Sequence, residues 1–325
     1  MSAKTSSSVW AAALAALTAA GSCAAQTPAT GLDRVGAILP VAEFRKDESG
    51  RDALGQRAAR IATLIEGAEV RAVAGEKTPA NDSAAPAEFF VESAKRTSIR
   101  FDSQRNELLA VQGAIADDYT STADVGTKEA HAVFERTIGT LTSAKLVQPE
   151  GLDLGTVRTG RLMQGEMGTD RQAVKRVKAY FFEVPRTING IEVFGSSMTI
   201  SVHRSGEIES IRSVGPGALR TKETLRRRLS VEFLSNRARK ENPGAEVLHL
   251  GLRYPWNAVR ADVALASRPR ETFRVVPITT VDGRRVEGRS YYVFYAVDDK
   301  KLQPIIWPRP NPQATGDTSK DSSNK

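Results

Sequence analysis

A chain of 325 residues with 40% hydrophobic and 26% charged residues is long enough for two ordinary domains with cores of their own, which excludes a stapled miniprotein and wholesale disorder. Its net charge of +8 favours acidic partners or anionic surfaces, and its single cysteine excludes an internal disulfide and a Cys-ligated zinc site.

Residues 1–25 read as an export signal. Lys4 gives a weak positive start, residues 9–20 (VWAAALAALTAA) form an apolar run too short to span a bilayer, and small residues follow. Lys4 is the only charged residue in this segment, so its removal takes the net charge from +8 to +7. Cys23, in Ala20-Gly21-Ser22-Cys23, resembles the lipobox of bacterial lipoproteins and is the candidate lipidation site. Ala20 departs from the branched aliphatic that usually opens that pattern, and cleavage after Ala25 is the other reading. The expected location is therefore the periplasm or outer membrane as a lipoprotein, or the medium as a secreted protein, with membrane contact only through such a lipid.

Residues 26–88 read as a tether, one helix and a linker. Leu54, Ala58, Ile61 and Ile65 recur at helical spacing, which predicts an amphipathic helix over Arg51–Glu66, opened by Ser49 and Asp52 as a capping box. Residues 76–88 (EKTPANDSAAPAE) lack any periodicity and mark the boundary. Short strands follow at 89–92, 98–101 and 108–111, the last two as a hairpin. A stripe of Ala130, Phe134, Ile138 and Leu141 behind Thr127 as N-cap predicts a second helix, ended by Gln148-Pro149-Glu150-Gly151.

The segment 180–211 is the most specific. Asn189-Gly190 tolerates the positive φ angles of a tight hairpin and sits between two β-rich runs. Ile191 and Val193 fall on odd positions, whereas Met198, Ile200 and Val202 fall on even ones, so the inward face changes phase near Phe194-Gly195, as a bulge at Gly195 would make it do. An aromatic strand from Tyr180, then Asn189-Gly190-Ile191-Glu192-Val193-Phe194-Gly195, an alternating strand to His203 and the turn Ser205-Gly206-Glu207-Ile208 resemble the FTP module. FTP modules occur in the propeptides of fungalysin and thermolysin-like metallopeptidases, where a PepSY module follows. Asn189, Gly190, Phe194 and Gly195 are read as structural positions.

A second unit repeats helix then strands. Leu225, Leu229, Phe233, Leu234 and Ala238 stripe an expected helix at about 222–241, stopped by Asn242-Pro243-Gly244. Leu248, Leu250, Leu252 and Tyr254 alternate as one buried face, with His249 outward, and strands at 272–278 and 291–297 are joined across Asp282-Gly283. The order of these elements is similar to a PepSY module. The expected fold is α+β, with tandem cystatin-like helix-on-antiparallel-sheet modules: an FTP-like module at 89–215, a PepSY-like module at 216–307 and a disordered tail at 308–325.

The peptidases that carry such propeptides use His-Glu-x-x-His to bind zinc, and this chain has no such motif. His131, His203 and His249 lie far apart in sequence, no phosphate loop or nucleophile elbow occurs, and the acid pairs Asp117-Asp118 and Asp298-Asp299 read as solvated loop charge. No catalytic, metal or cofactor residue is assigned. Cations concentrate on the expected helix at 222–241, and Arg226, Arg227, Arg237 and Lys240 are the candidate binding surface. Interleaved aromatics for base stacking are lacking there, so no nucleic-acid partner is expected. The reading is an exported, non-catalytic binding protein of the bacterial envelope, whose partner under the resemblance is a metallopeptidase that it inhibits or helps to fold. The alternatives are a structural lipoprotein on anionic surfaces and a hydrolase with an unrecognised site.

Overall fold

The computed structural model describes residues 31–45, 51–66, 72–74, 87–91, 97–102, 107–113, 123–147, 151–167, 173–216, 218–259 and 262–308. The signal segment, Cys23 and the tail from residue 309 lie outside them. In chain order the elements are β1 (Ile38–Arg45), α1 (Arg51–Glu66), β2 (Ala72–Ala74), β3 (Ala87–Val91), β4 (Ser98–Asp102), β5 (Glu107–Gln112), α2 (Gly126–Ser143), β6 (Arg158–Met167), β7 (Ala173–Ile188), β8 (Ile191–His203) and β9 (Ile208–Val214). There follow β10 (Ala218–Arg226), α3 (Val231–Glu241), β11 (Ala245–Tyr254), the short α4 (Val263–Ala266), β12 (Arg270–Val281), β13 (Arg284–Glu287), β14 (Tyr291–Ala296) and β15 (Ile305–Trp307). Few helices lie against extensive, mainly antiparallel sheet, so the fold is α+β.

The strand order β15-β14-β12-β11-β8-β9-β5-β4-β3-β2 makes one continuous sheet, with β7 paired to β8 and β6 to β7. Helices α1 and α2 share one core over its first part: Leu54, Ala58 and Ile61 of α1, Phe134, Ile138 and Leu141 of α2, and Phe101, Phe182, Met198 and Ile200 of the strands are buried together. Full burial of each such side chain stabilises the fold by about 1.5–3 kcal/mol. Helix α3 covers the second core, in which Leu234 and Ala238 meet Phe273, Val275, Val293 and Tyr295.

Strand β8 belongs to both parts. Its early residues Ile191 and Val193 enter a third core with Tyr254 and Trp256, whereas Met198, Ile200 and Val202 enter the first. Between them the β7–β8 register jumps from Pro185↔Ser197 to Thr187↔Glu192, and Gly195 takes φ +69°. The bulge rotates the strand by one face, which hands it from one core to the next. Beyond the end of β9, the freed side of β8 pairs in parallel with β11 through Arg253↔Glu192 and Tyr254↔Val193. The turn residues Asn189 and Gly190 have φ +49° and +78°.

Five expectations change. Residues 222–226, expected as the start of a helix, instead end strand β10, which pairs antiparallel with β1, and α3 begins only at Val231 with Ser230 as its N-cap. Phe233, expected in the core, is 46% exposed, because the later helix start turns Leu234 and Ala238 inward instead. In β11 a bulge between His249 and Gly251 reverses the alternation, so Leu248 is 40% exposed while Val247 packs on the second core. The Asp282-Gly283 turn joins β12 to the short β13, and β14 then returns to pair with the first half of β12. At α2 the N-cap is Val125, two residues before the expected Thr127, and the Asp124 side chain accepts the Gly126 amide at 2.9 Å.

Candidate functional site

The end of β10 leads into α3 through Arg227-Arg228-Leu229-Ser230, and this link sorts neighbouring cations to opposite sides. Arg227 points inward. Its Nη2 donates to Oε2 of Glu271 at 2.6 Å, its Nε to the carbonyl of Leu229 at 2.9 Å, and neither Arg227 nor Glu271 has any side-chain exposure. The other oxygen of Glu271 accepts Nε2 of His249 at 2.5 Å, which fixes the proton of that ring nitrogen because a carboxylate can only accept. Burial would raise the Glu271 pKa, but the bond from His249 and the charge of Arg227 outweigh it and hold the group below the ordinary carboxylate value. His249 is thus an inward, bonded side chain and not the outward one expected of strict alternation.

Arg226 and Arg228 point outward. With Leu225, Leu229, Asp298, Asp299, Lys300 and Lys301 they line a surface groove of about 600 Å³. The two acids are engaged: Asp298 pairs with Arg268 at 3.2 Å, and Asp299 accepts the backbone amide of Lys301 at 2.8 Å. Among the described residues, Arg226, Arg228, Lys300 and Lys301 are exposed and form no ion pair. The groove therefore offers four cations to a ligand.

Of the four residues of the candidate surface, Arg226 lines this groove, Lys240 is exposed on α3, Arg237 is half-buried and Arg227 is interior. Arg237 acts as a brace: it donates to Glu241 at 2.7 Å and to the carbonyl of Lys300 at 2.9 Å, and its guanidinium lies 5.1 Å from the ring centre of Tyr295. Lys300 and Lys301 come from a loop far along the chain, so no local pattern pointed to them. Glu271 had a faint signal, a lone carboxylate at the head of an apolar strand.

The histidines stay apart. His131 pairs with Glu135 at 3.6 Å on the half-exposed flank of α2, and His203 bonds Ser205 at 2.8 Å in its own turn. Among the described residues no three His, Cys, Asp or Glu side chains gather as a metal site. Another polar convergence lies at the start of α2, where Tyr180 donates to Asp124 at 2.7 Å and Arg161 to Thr127 at 2.7 Å. Burial, reinforced by Asp124, raises the Tyr180 pKa. At the hairpin tip, Asn189 reaches Thr221 of β10 at 3.0 Å.

No protein-family model matches the chain, and no curated protein matches it. Among solved structures, the C-terminal domain of Bacillus megaterium YpeB is similar at 12% identity and a TM-score of 0.38, over 80% of this chain and 99% of that one. An uncharacterized protein from Eubacterium rectale is similar at 13% identity and a TM-score of 0.47, over 82% of this chain and 87% of that one.

Proposed function

We propose that this chain is a non-catalytic binding protein of the bacterial cell envelope, and that its basic groove docks an acidic segment of a protein partner. The observation that carries the reading is the groove itself, in which Arg226, Arg228, Lys300 and Lys301 stand exposed without ion-pair partners among the described residues. Unpaired cations set side by side repel one another, and an acidic ligand relieves that repulsion and is steered in by it. The FTP and PepSY resemblance makes a metallopeptidase the partner class, with this chain as a detached inhibitor or folding helper. The export signal expected at residues 1–25 favours the envelope as the place where the two would meet.

The test is capture from envelope extracts by the wild-type mature chain and by R226E/R228E, followed by assay of any captured peptidase. Capture that weakens with salt and is lost in the charge-reversed variant supports the reading. Equal capture by both proteins overturns the groove, and an unchanged rate for every captured peptidase removes the inhibitor version. Binding of anionic vesicles with the same charge dependence, and of no protein, would instead make this a structural lipoprotein on an anionic surface.

A further inference from the structure

Strand β12 has two faces. Glu271, Phe273 and Val275 look toward α3, and the intervening Arg270, Thr272 and Arg274 look the other way. On this second face Arg270 lies opposite Arg253 of β11 and Ala296 of β14, and it is only 3% exposed. Among the described residues its buried Nε and Nη1 find no hydrogen-bond acceptor, and Nε of Arg274, further along the same face beyond Thr272, is in the same state.

A guanidinium remains charged at any pH a protein meets, so Arg270 cannot escape its burial by losing a proton. Among the described residues the nearby carboxylates Glu192, Asp298 and Asp262 form their hydrogen bonds and ion pairs with other groups. Glu192 is held by Arg253 at 3.0 Å and by Arg158 at 3.0 Å, and Asp298 by Arg268 at 3.2 Å. Asp262 caps α4 by accepting the amide of Leu265 at 3.1 Å. Burial depresses the Arg270 pKa, the charges of Asp298 and Asp262 only partly oppose this, and Arg268 adds to it. A buried charge with open donors is among the costliest arrangements a fold can hold, and native proteins relieve it with a partner.

We propose that Arg270 is an oxyanion-binding site, which takes a carboxylate or a phosphate group against its guanidinium where the start of β12 meets the end of β14, with Arg274 adding attraction along the same face. The planar array of N–H donors suits the oxygens of either group. This site does not depend on the groove, since neither Arg226 nor Arg228 belongs to it.

Calorimetric titration of the full mature chain with sodium phosphate and, separately, sodium acetate, against sodium chloride at matched ionic strength, tests the site. One saturable anion per chain, weakened at least tenfold in R270M and unchanged in R226E/R228E, is expected. The arm that binds more tightly names the source, phosphate or carboxylate. If R270M does not fold, R270K takes its place: it keeps the charge, loses the planar donors and should still bind several-fold more weakly. Absence of saturable binding in both arms, equal binding of chloride, or affinity in R270M or R270K within twofold of wild type would overturn the proposal.

Discussion

Arg227 and Glu271, separated by 44 residues, meet at 2.6 Å with neither side chain exposed. The same arginine fastens the N-terminal strand. The amide of Gly36 donates to the Arg227 carbonyl at 2.8 Å, and the Arg227 amide donates to the carbonyl of Ala37 at 2.8 Å. Strand β1, the lead into α3 and the middle sheet strand β12 are thus joined at one point. Removing two charges from water is costly, and the pair holds only because every partner is present.

Glu271→Gln should therefore lose about 3–5 kcal/mol of stability in urea unfolding at neutral pH, because it leaves Arg227 buried without a counter-charge. The double variant R227M/E271L removes both charges and should lose less than either single change. Additive losses would show that the two side chains act independently.

Acid sensitivity should follow from the same carboxylate. Glu271 lies below the ordinary value of 4.5, so the unfolded chain takes up its proton first. The stability it contributes is complete above that value and is lost as pH falls below it. In urea unfolding from pH 7 downward, the wild type should lose stability below about 4.5 more steeply than E271Q does. Parallel curves would contradict the assignment.

Much of the first part was legible because its signals are local. The stripe of Leu54, Ala58 and Ile61 gave α1 its limits, and the change from odd to even apolar positions in β8 marked its passage between two cores. The misread segments depend on distant pairing. ALRTKETLR in β10 is made of good helix formers, yet β1 supplies it with a strand partner from nearly two hundred residues upstream, and tertiary pairing overrides propensity. Strand β1 itself is interrupted by Pro40, and β6 carries two glycines and few β-branched residues, so neither showed a strand pattern. The cations of the groove come together for the same reason: Arg226 ends β10 and Arg228 follows it, whereas Lys300 and Lys301 follow β14.

The neighbours Phe233 and Leu234 separate the sequence pattern from the packing. Leu234→Ala should cost about 2–5 kcal/mol, since Leu234 is wholly buried in the second core. Phe233→Ala should change stability by no more than about 0.5 kcal/mol, as expected for a surface position. Urea unfolding of the two variants distinguishes them, and a large loss for F233A would restore the inward reading.

At alkaline pH the informative residue is Tyr254. Its hydroxyl donates to the carbonyl of Pro40 at 2.7 Å and ties β11 to β1, and burial raises its pKa above the ordinary 10.0. A raised phenol contributes stability that is present below the unfolded value and lost as pH climbs past it. Tyr254→Phe should lose about 1 kcal/mol at pH 7 and show a shallower decline above pH 10 than the wild type. An equally steep decline in both would assign the alkaline loss to other groups.

Gly195 is the joint on which the arrangement of cores turns. Its φ of +69° disfavours any residue with a Cβ, and an added Cβ would stand 2.5 Å from Cβ of Asn257 and 2.7 Å from its Nδ2. The backbone component costs about 1–2 kcal/mol, and the collision adds an overpacking component of about 1–3 kcal/mol. Asn257 cannot rotate its own Cβ away. Gly195→Ala should therefore lose about 2–5 kcal/mol in urea unfolding. Adding Asn257→Gly removes the collision and leaves the backbone component, so the two changes should couple favourably in a double-mutant cycle. Because the bulge positions Glu192 and Val193 against β11, hydrogen exchange in G195A should quicken at Arg253 and Tyr254 before it does in the first core. Uniform exchange across both parts would mean that the bulge does not hold them in register.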